Sequence, residues 1–222
     1  MKYLSNIIRF LLTFLSFPHN LTREKLTKNQ LDLIKSMKQK LSQINQINNN
    51  NKLITHQNFS NSVTSLIQNG KFANFLRFGF IQKMFFVHNR IYNVKFLQKI
   101  LKSKQDNWIK LLDECKVGNP VPFFTDKKTS GNRIRHVFLA KKIFDYADIK
   151  NLDSVIEIGG GYGCMASIFH KINKNIEYTI FDLPEVNLLA YYYLKSQNIE
   201  CSLNNDNPNI KINLLSDIGL IK

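Results

Sequence analysis

An α/β fold is predicted, with about four parallel strands preceded by a mainly α-helical region. Three observations predict it. Ser154 to Ile158 is a short β-branched run that reads as a buried strand. Gly159-Gly160-Gly161-Tyr162-Gly163 turns the chain, after which Met165, Ile168, Phe169 and Ile172 recur at helical spacing. Ile176 to Phe181 then reads as a second strand, ending on Asp182. Such a strand–helix–strand unit is parallel and right-handed. Its ligand crevice lies at the carboxyl ends of the strands.

The residues ahead of this unit read as helical. Met1 to Phe17 is apolar but broken by Arg9, and Phe17-Pro18-His19 is not a cleavage site, so the stretch is neither a signal peptide nor long enough to span a bilayer. An amphipathic or core-packed helix ending near Pro18 is expected, with peripheral membrane contact through residues 1–17 left open. Thr22 to Ile47 carries the stripe Leu26, Leu33, Ile34, Met37 and Leu41. A polar run at 48–52 suggests a break. Phe59 to Leu101 is helical in pattern and rich in phenylalanine, with Gly70 and Gly79 as interruptions. Asp106 or Asn107 can cap a helix through Trp108, Leu111, Leu112 and Cys115, stopped at Gly118. A domain boundary is expected near residue 120. Val121 to Phe124 then reads as extended, and Thr129 to Asn132 offers caps for a helix over Ile134 to Tyr146. Beyond the glycine turn, Pro184 suits the first turn of a helix. Ile199 to Asn204 and the alternating Ile210, Ile212 and Leu214 supply two further strands.

The chemistry of the turn is specific. Glycines let backbone approach a ligand, and amides at a helix start favour an anionic group. Asp182 can accept hydrogen bonds from two vicinal ribose hydroxyls. Gly161-Tyr162-Gly163-Cys164-Met165-Ala166 fits a dinucleotide fingerprint, so an NAD(P)-type oxidoreductase is one reading. Glu157, two residues ahead of Gly159, fits a second. A carboxylate at the strand end suits a positively charged cofactor, and the acid-first pattern is that of class I S-adenosylmethionine-dependent methyltransferases. Glycines serving only as a tight turn are the bland alternative.

The stretch from Ile156 through Gly163, then Tyr178-Thr179-Ile180-Phe181-Asp182-Leu183-Pro184, then Tyr191-Tyr192-Tyr193-Leu194, resembles the sugar O-methyltransferase family. Val117-Gly118-Asn119-Pro120 and Ile134-Arg135-His136 resemble that family's approach to the domain. The likeness covers about half the chain, from Trp108 onward. It implies a Rossmann-like methyltransferase sheet and S-adenosylmethionine as cofactor. It also implies a hydroxyl acceptor on a small molecule or glycan. The cofactor would be held by Glu157, Gly159, Gly160, Gly161, Tyr162, Gly163, Asp182 and Leu183, with Asp206 near the adenine edge. The family's helix bearing Arg135 and His136 approaches the active site, which makes His136 the candidate base; a surface arginine and a capping histidine are the plain alternative. Such a sheet normally has seven strands. The chain is therefore expected to be the first half, truncated, with its fourth strand as an open edge and no turnover on its own. A non-catalytic binding module is the corresponding alternative.

Composition narrows the classes. Cys115, Cys164 and Cys201 show no paired spacing, which argues against zinc or disulfides and fits a reducing cytoplasm. No carboxylate or histidine cluster points to a metal. Residues 1–150 carry 26 Lys and Arg against 8 Asp and Glu, a net +18, whereas 151–222 carry 5 against 8, a net −3. A basic half invites a polyanion, and an RNA methyltransferase is the matching alternative. The 25 lysines against 6 arginines, with 27 asparagines, argue instead for compositional bias and against a nucleic-acid partner.

Overall fold

The computed structural model describes residues 25–47, 54–85, 92–146, 152–207 and 209–216. The expected helix over Met1 to Phe17 and the polar break at 48–52 lie outside them. The helical region comprises α1 (Lys28–Ile47), α2 (Ile54–Asn69), a 3-10 turn at Phe75–Arg77, α3 (Gly79–Met84), α4 (Tyr92–Lys102) and α5 (Asp106–Lys110). Thr27 and Gln30 close the start of α1 reciprocally: the Gln30 N–H donates to Thr27 Oγ1 at 3.2 Å and the Thr27 N–H donates to Gln30 Oε1 at 2.9 Å. Ile34, Met37 and Leu41 of the expected stripe are buried. The helix expected over 106–118 is only five residues long. Trp108 is half-buried and meets Phe144 edge-on at 5.3 Å.

A hairpin of β1 (Pro122–Phe123) and β2 (Asp126–Ser130) leads into α6 (Gly131–Tyr146). That helix starts three residues before the expected position, with Ser130 Oγ accepting the Arg133 N–H at 3.1 Å. Then follow β3 (Ser154–Ile158), α7 (Cys164–Ile172), β4 (Glu177–Phe181), α8 (Pro184–Lys195), β5 (Ser202–Leu203) and β6 (Ile212–Leu215). Pro184 opens α8 as its sequence suggested. The four later strands form one parallel sheet in the order β3-β4-β6-β5. The fold is α/β and consistent with a Rossmann-like methyltransferase.

Two expectations about the sheet are corrected. The last strand, β6, is not an edge: it sits between β4 and β5, and Ile212 and Leu214 are buried. Among the described residues the long open edge is β3. That strand is also not buried as its β-branched run suggested, since Ile156 is 55% and Ile158 84% exposed. The physical reason is register. Residues 155 and 157 share a face with Tyr178 and Ile180, over which the helices pack, while residues 154, 156 and 158 point the other way, where no described element covers them.

The helical region is bound into the same core. α1 and α2 pack against α8, and Phe72 meets Tyr192 with ring centroids 4.4 Å apart. At the expected boundary near residue 120 the chain is clasped. The Leu76 N–H donates to the Gly118 carbonyl at 3.0 Å, and Arg77 donates to the Asn119 carbonyl and to its Oδ1, each at 3.0 Å. Gly118 has φ +76°, and a Cβ there would lie 2.2 Å from the Phe75 ring. Only glycine allows that approach. Among the described residues no helix is long and apolar enough to cross a membrane.

Candidate functional site

The crevice at the carboxyl ends of β3, β4 and β6 is built around the glycine turn. Gly159, Gly161 and Gly163 all have positive φ, and Gly163 is the N-cap of α7. The Gly159 N–H donates to the Phe181 carbonyl at 2.9 Å, carrying the pairing of β3 with β4 into the turn. A Cβ on Gly159 would meet nothing within 4 Å, so this side of the turn is open to a ligand. A Cβ on Gly160 would instead strike Ile180 at 2.7 Å and Glu157 Oε2 at 2.9 Å. The turn thus presses onto the sheet on one side and opens on the other.

Asp182 lies where the turn and β4 meet. Its Oδ2 accepts the Gly161 N–H at 2.9 Å and its Oδ1 accepts the Leu183 N–H at 2.8 Å. A carboxylate has about four acceptor positions, which suits it to meet backbone amides and ligand hydroxyls together. Leu183, half-buried, is the N-cap residue of α8. Glu157 is half-buried beneath the turn, and its Oε2 accepts the Tyr178 hydroxyl at 2.9 Å. Burial, reinforced by the nearby Asp182 carboxylate and opposed by the Tyr178 bond, pushes the Glu157 carboxyl up to about 7. A cation placed beside it would hold it ionised. This donor and acceptor set fits S-adenosylmethionine, whose ribose offers paired hydroxyls and whose sulfonium and amino groups are positive.

Three expected site residues stand elsewhere. The Tyr162 side chain does not enter the crevice: it is 2% exposed and packs among Phe75, Phe85 and Tyr193, so only its backbone can meet a ligand. The aromatic ring gains more from apolar burial than from a wet crevice. Asp206 is exposed. Its Oδ1 accepts the Leu203 N–H at 3.2 Å and its Oδ2 lies 3.6 Å from Lys40 Nζ. It follows β5, beyond β6, whereas the strand end adjoining Asp182 is Leu215-Ser216. His136 lies on α6, its imidazole in a setting that disfavours the charged form. Its Nδ1 is buried without a hydrogen-bond partner, and desolvation, with Arg135 and Arg133 adding repulsion, pushes the imidazolium down to about 3. A group so weakly basic takes a proton poorly near neutral pH. Cys164 is equally inert, since burial raises its thiol to about 12.

Two residues of the site gave no motif signal. Asn187 of α8 is fully buried, and its Nδ2 donates to the Leu215 carbonyl at 2.8 Å, to Ser216 Oγ at 2.9 Å and to the Asp182 carbonyl at 3.2 Å. It ties the ends of β4 and β6 together beside Asp182. An asparagine inside an otherwise apolar helix face was the one available hint. Phe85, which follows α3, lies against Gly161, where a Cβ would come within 3.0 Å of its ring.

A family profile described as the O-methyltransferase domain matches residues 123–205, a span that holds the glycine turn, Asp182 and Asn187. The ribosomal RNA small subunit methyltransferase A of Wigglesworthia glossinidia brevipalpis is 35% identical over 89 residues, 40% of this chain and 33% of that protein. Both matches are methyltransferases. They imply S-adenosylmethionine as the methyl donor. The chain spans about a third of the length of the curated relative it matches. No solved structure matches.

Proposed function

We propose that the chain carries the cofactor site of an S-adenosylmethionine-dependent O-methyltransferase acting on a hydroxyl of a sugar or glycan. The observation that carries the cofactor reading is the joining of the glycine turn to Asp182 at 2.9 Å, with the Glu157 carboxyl beside them. Bound there, the donor supplies an electrophilic methyl group. The chain's own residues orient the ribose through Asp182, neutralise positive charge through Glu157 and leave room through Gly159. The hydroxyl acceptor is supported by the O-methyltransferase profile, and the sugar by the resemblance of the motifs around residues 156–163 and 178–194. Site residues proposed for the cofactor are Glu157, Gly159, Gly160, Gly161, Gly163, Asp182 and Leu183.

Among the described residues, Ile158 and Gly159 are exposed beside β3 and no wall covers them. Methyl transfer depends on holding donor and acceptor in line, and an open wall does not do that. The 222-residue chain alone is therefore expected to bind cofactor without efficient turnover.

Calorimetry with S-adenosylhomocysteine tests the reading. Asp182→Ala should weaken binding by about 1–3 kcal/mol through loss of charge-assisted hydrogen bonds. Unchanged affinity in a folded variant, or preference for NAD over S-adenosylhomocysteine, would remove the reading. An RNA acceptor is the second reading. It is favoured by the name of the ribosomal RNA methyltransferase matched here and by the net +18 of residues 1–150. Labelled methyl transfer offered to glycans and to ribosomal RNA separates the two.

A further inference from the structure

The first turn of α6 reaches the cofactor turn from outside the sheet, and it does so with two adjacent side chains. Asn132 is 1% exposed, and its Nδ2 donates to the Tyr162 hydroxyl at 2.7 Å. Arg133 is also 1% exposed. Its Nε donates to the Leu111 carbonyl at 2.7 Å and its Nη1 to Ser167 Oγ at 3.0 Å. Ser167 in turn donates from Oγ to the Cys164 carbonyl at 2.8 Å and from its N–H to the Gly163 carbonyl at 3.0 Å. Tyr162 thus runs like a bolt from the glycine turn into the aromatic core, with its tip held by Asn132, while Arg133 holds the first turn of the helix that follows.

We propose that Asn132 and Arg133 are positioning residues that fix the cofactor turn between Gly159 and Ser167 in its ligand-ready shape. Three arguments converge on this. Gly161 and Gly163 flank Tyr162 and both adopt positive φ, so the turn is permissive and needs an external restraint to hold one conformation. The restraint is buried, where a hydrogen bond is strong and a lost partner is costly. Finally, the base of the brace is itself fixed. Glu114 Oε2 accepts the Ser130 N–H at 2.7 Å, and Ser130 caps the turn that carries both residues. The buried Arg133 guanidinium also interacts with the buried Glu114 carboxylate, so charge balance and brace share the same residues. The positioning role rests on the reading of the glycine turn as the cofactor turn.

Tyr162→Phe removes one hydroxyl and keeps the ring. Asn132→Ala removes the other half of the same bond. Each is expected to lower S-adenosylhomocysteine affinity about tenfold, and the double variant no further than the worse single, because both break one contact. Amide hydrogen exchange of the free protein should rise in residues 159–167 and stay unchanged in β4 and α8. Arg133→Lys, which keeps the charge but loses the fork, should show the same local pattern more weakly. Unchanged affinity together with unchanged exchange at 159–167 overturns the proposal. So does exchange that rises evenly through the protein with a lowered Tm, which marks a role in stability alone. Failure of the wild-type chain to bind S-adenosylhomocysteine would instead sink the cofactor reading, and the exchange pattern would still judge the brace.

Discussion

On one face of the sheet lie Val155, Glu157, Tyr178, Ile180, Ile212 and Leu214; on the other lie Ser154, Ile156, Ile158, Glu177, Thr179 and Phe181. The first set is covered by α7 and α8. Tyr178 meets Phe169 at 5.3 Å, and Ile180 and Leu214 are fully buried. The second set is open in the described residues, most of all at the edge strand β3. Both faces carry apolar, β-branched side chains. The difference teaches that an isoleucine in a parallel strand has a burial set by what lies over it. Parallel sheets are ordinarily covered on both faces, so the contrast between the two faces is sharp among the described residues.

Truncation on the covered face should have the largest effect. Ile180→Ala removes a fully buried side chain from between β4 and the turn and is expected to cost about 2–5 kcal/mol, read by urea denaturation. A cost near zero would mean that the covered face is not the core.

The same face holds Glu157, whose effect depends on pH. Its folded carboxyl is raised to about 7 from an ordinary value near 4.5, so the folded state binds the extra proton. Its contribution is complete below about pH 4.5 and is lost as pH rises through 7, by at most about 3 kcal/mol. His136 acts oppositely: its imidazolium is pushed down to about 3, so its contribution is complete above its ordinary value of 6.5 and is lost as pH falls from there toward 3. Subtracting the stability profile of Glu157→Gln from that of the wild type isolates the carboxyl. A flat difference between pH 4 and 8 would contradict its burial.

At the strand ends, Asn187→Ala removes the buried side-chain donor to the carbonyls of Leu215 and Asp182 and is expected to cost about 1–3 kcal/mol. S-adenosylhomocysteine affinity should fall with it, because Asp182 loses its support. Calorimetry on the folded variant checks this.

The smallest effect belongs to the open face. Ile158→Ser should change stability by less than about 0.5 kcal/mol, since Ile158 is 84% exposed. A large loss in the same denaturation experiment would show that this face is covered in solution by something outside the described residues, and would erase the contrast between the faces.

The local pattern of the sequence determined the strand–glycine turn–helix–strand order, the start of α8 at Pro184 and the place of Asp182 beside the turn. These follow from periodicity, backbone chemistry and distances of a few residues, which act before tertiary packing does. Strand order, burial and side-chain direction were decided only by tertiary structure. Ile156 and Ile212 look alike in sequence, yet one is exposed at an edge and the other buried between two strands. Tyr162 stands within the glycine motif but is drawn into the core by rings contributed from residues 75, 85 and 193. Asp206 followed a real strand, but β6 took the place beside β4 and left Asp206 one strand too far out. Asn132, Arg133 and Asn187 belong to no motif. Their roles arise from partners between 5 and 34 positions away, and only the folded chain brings those together.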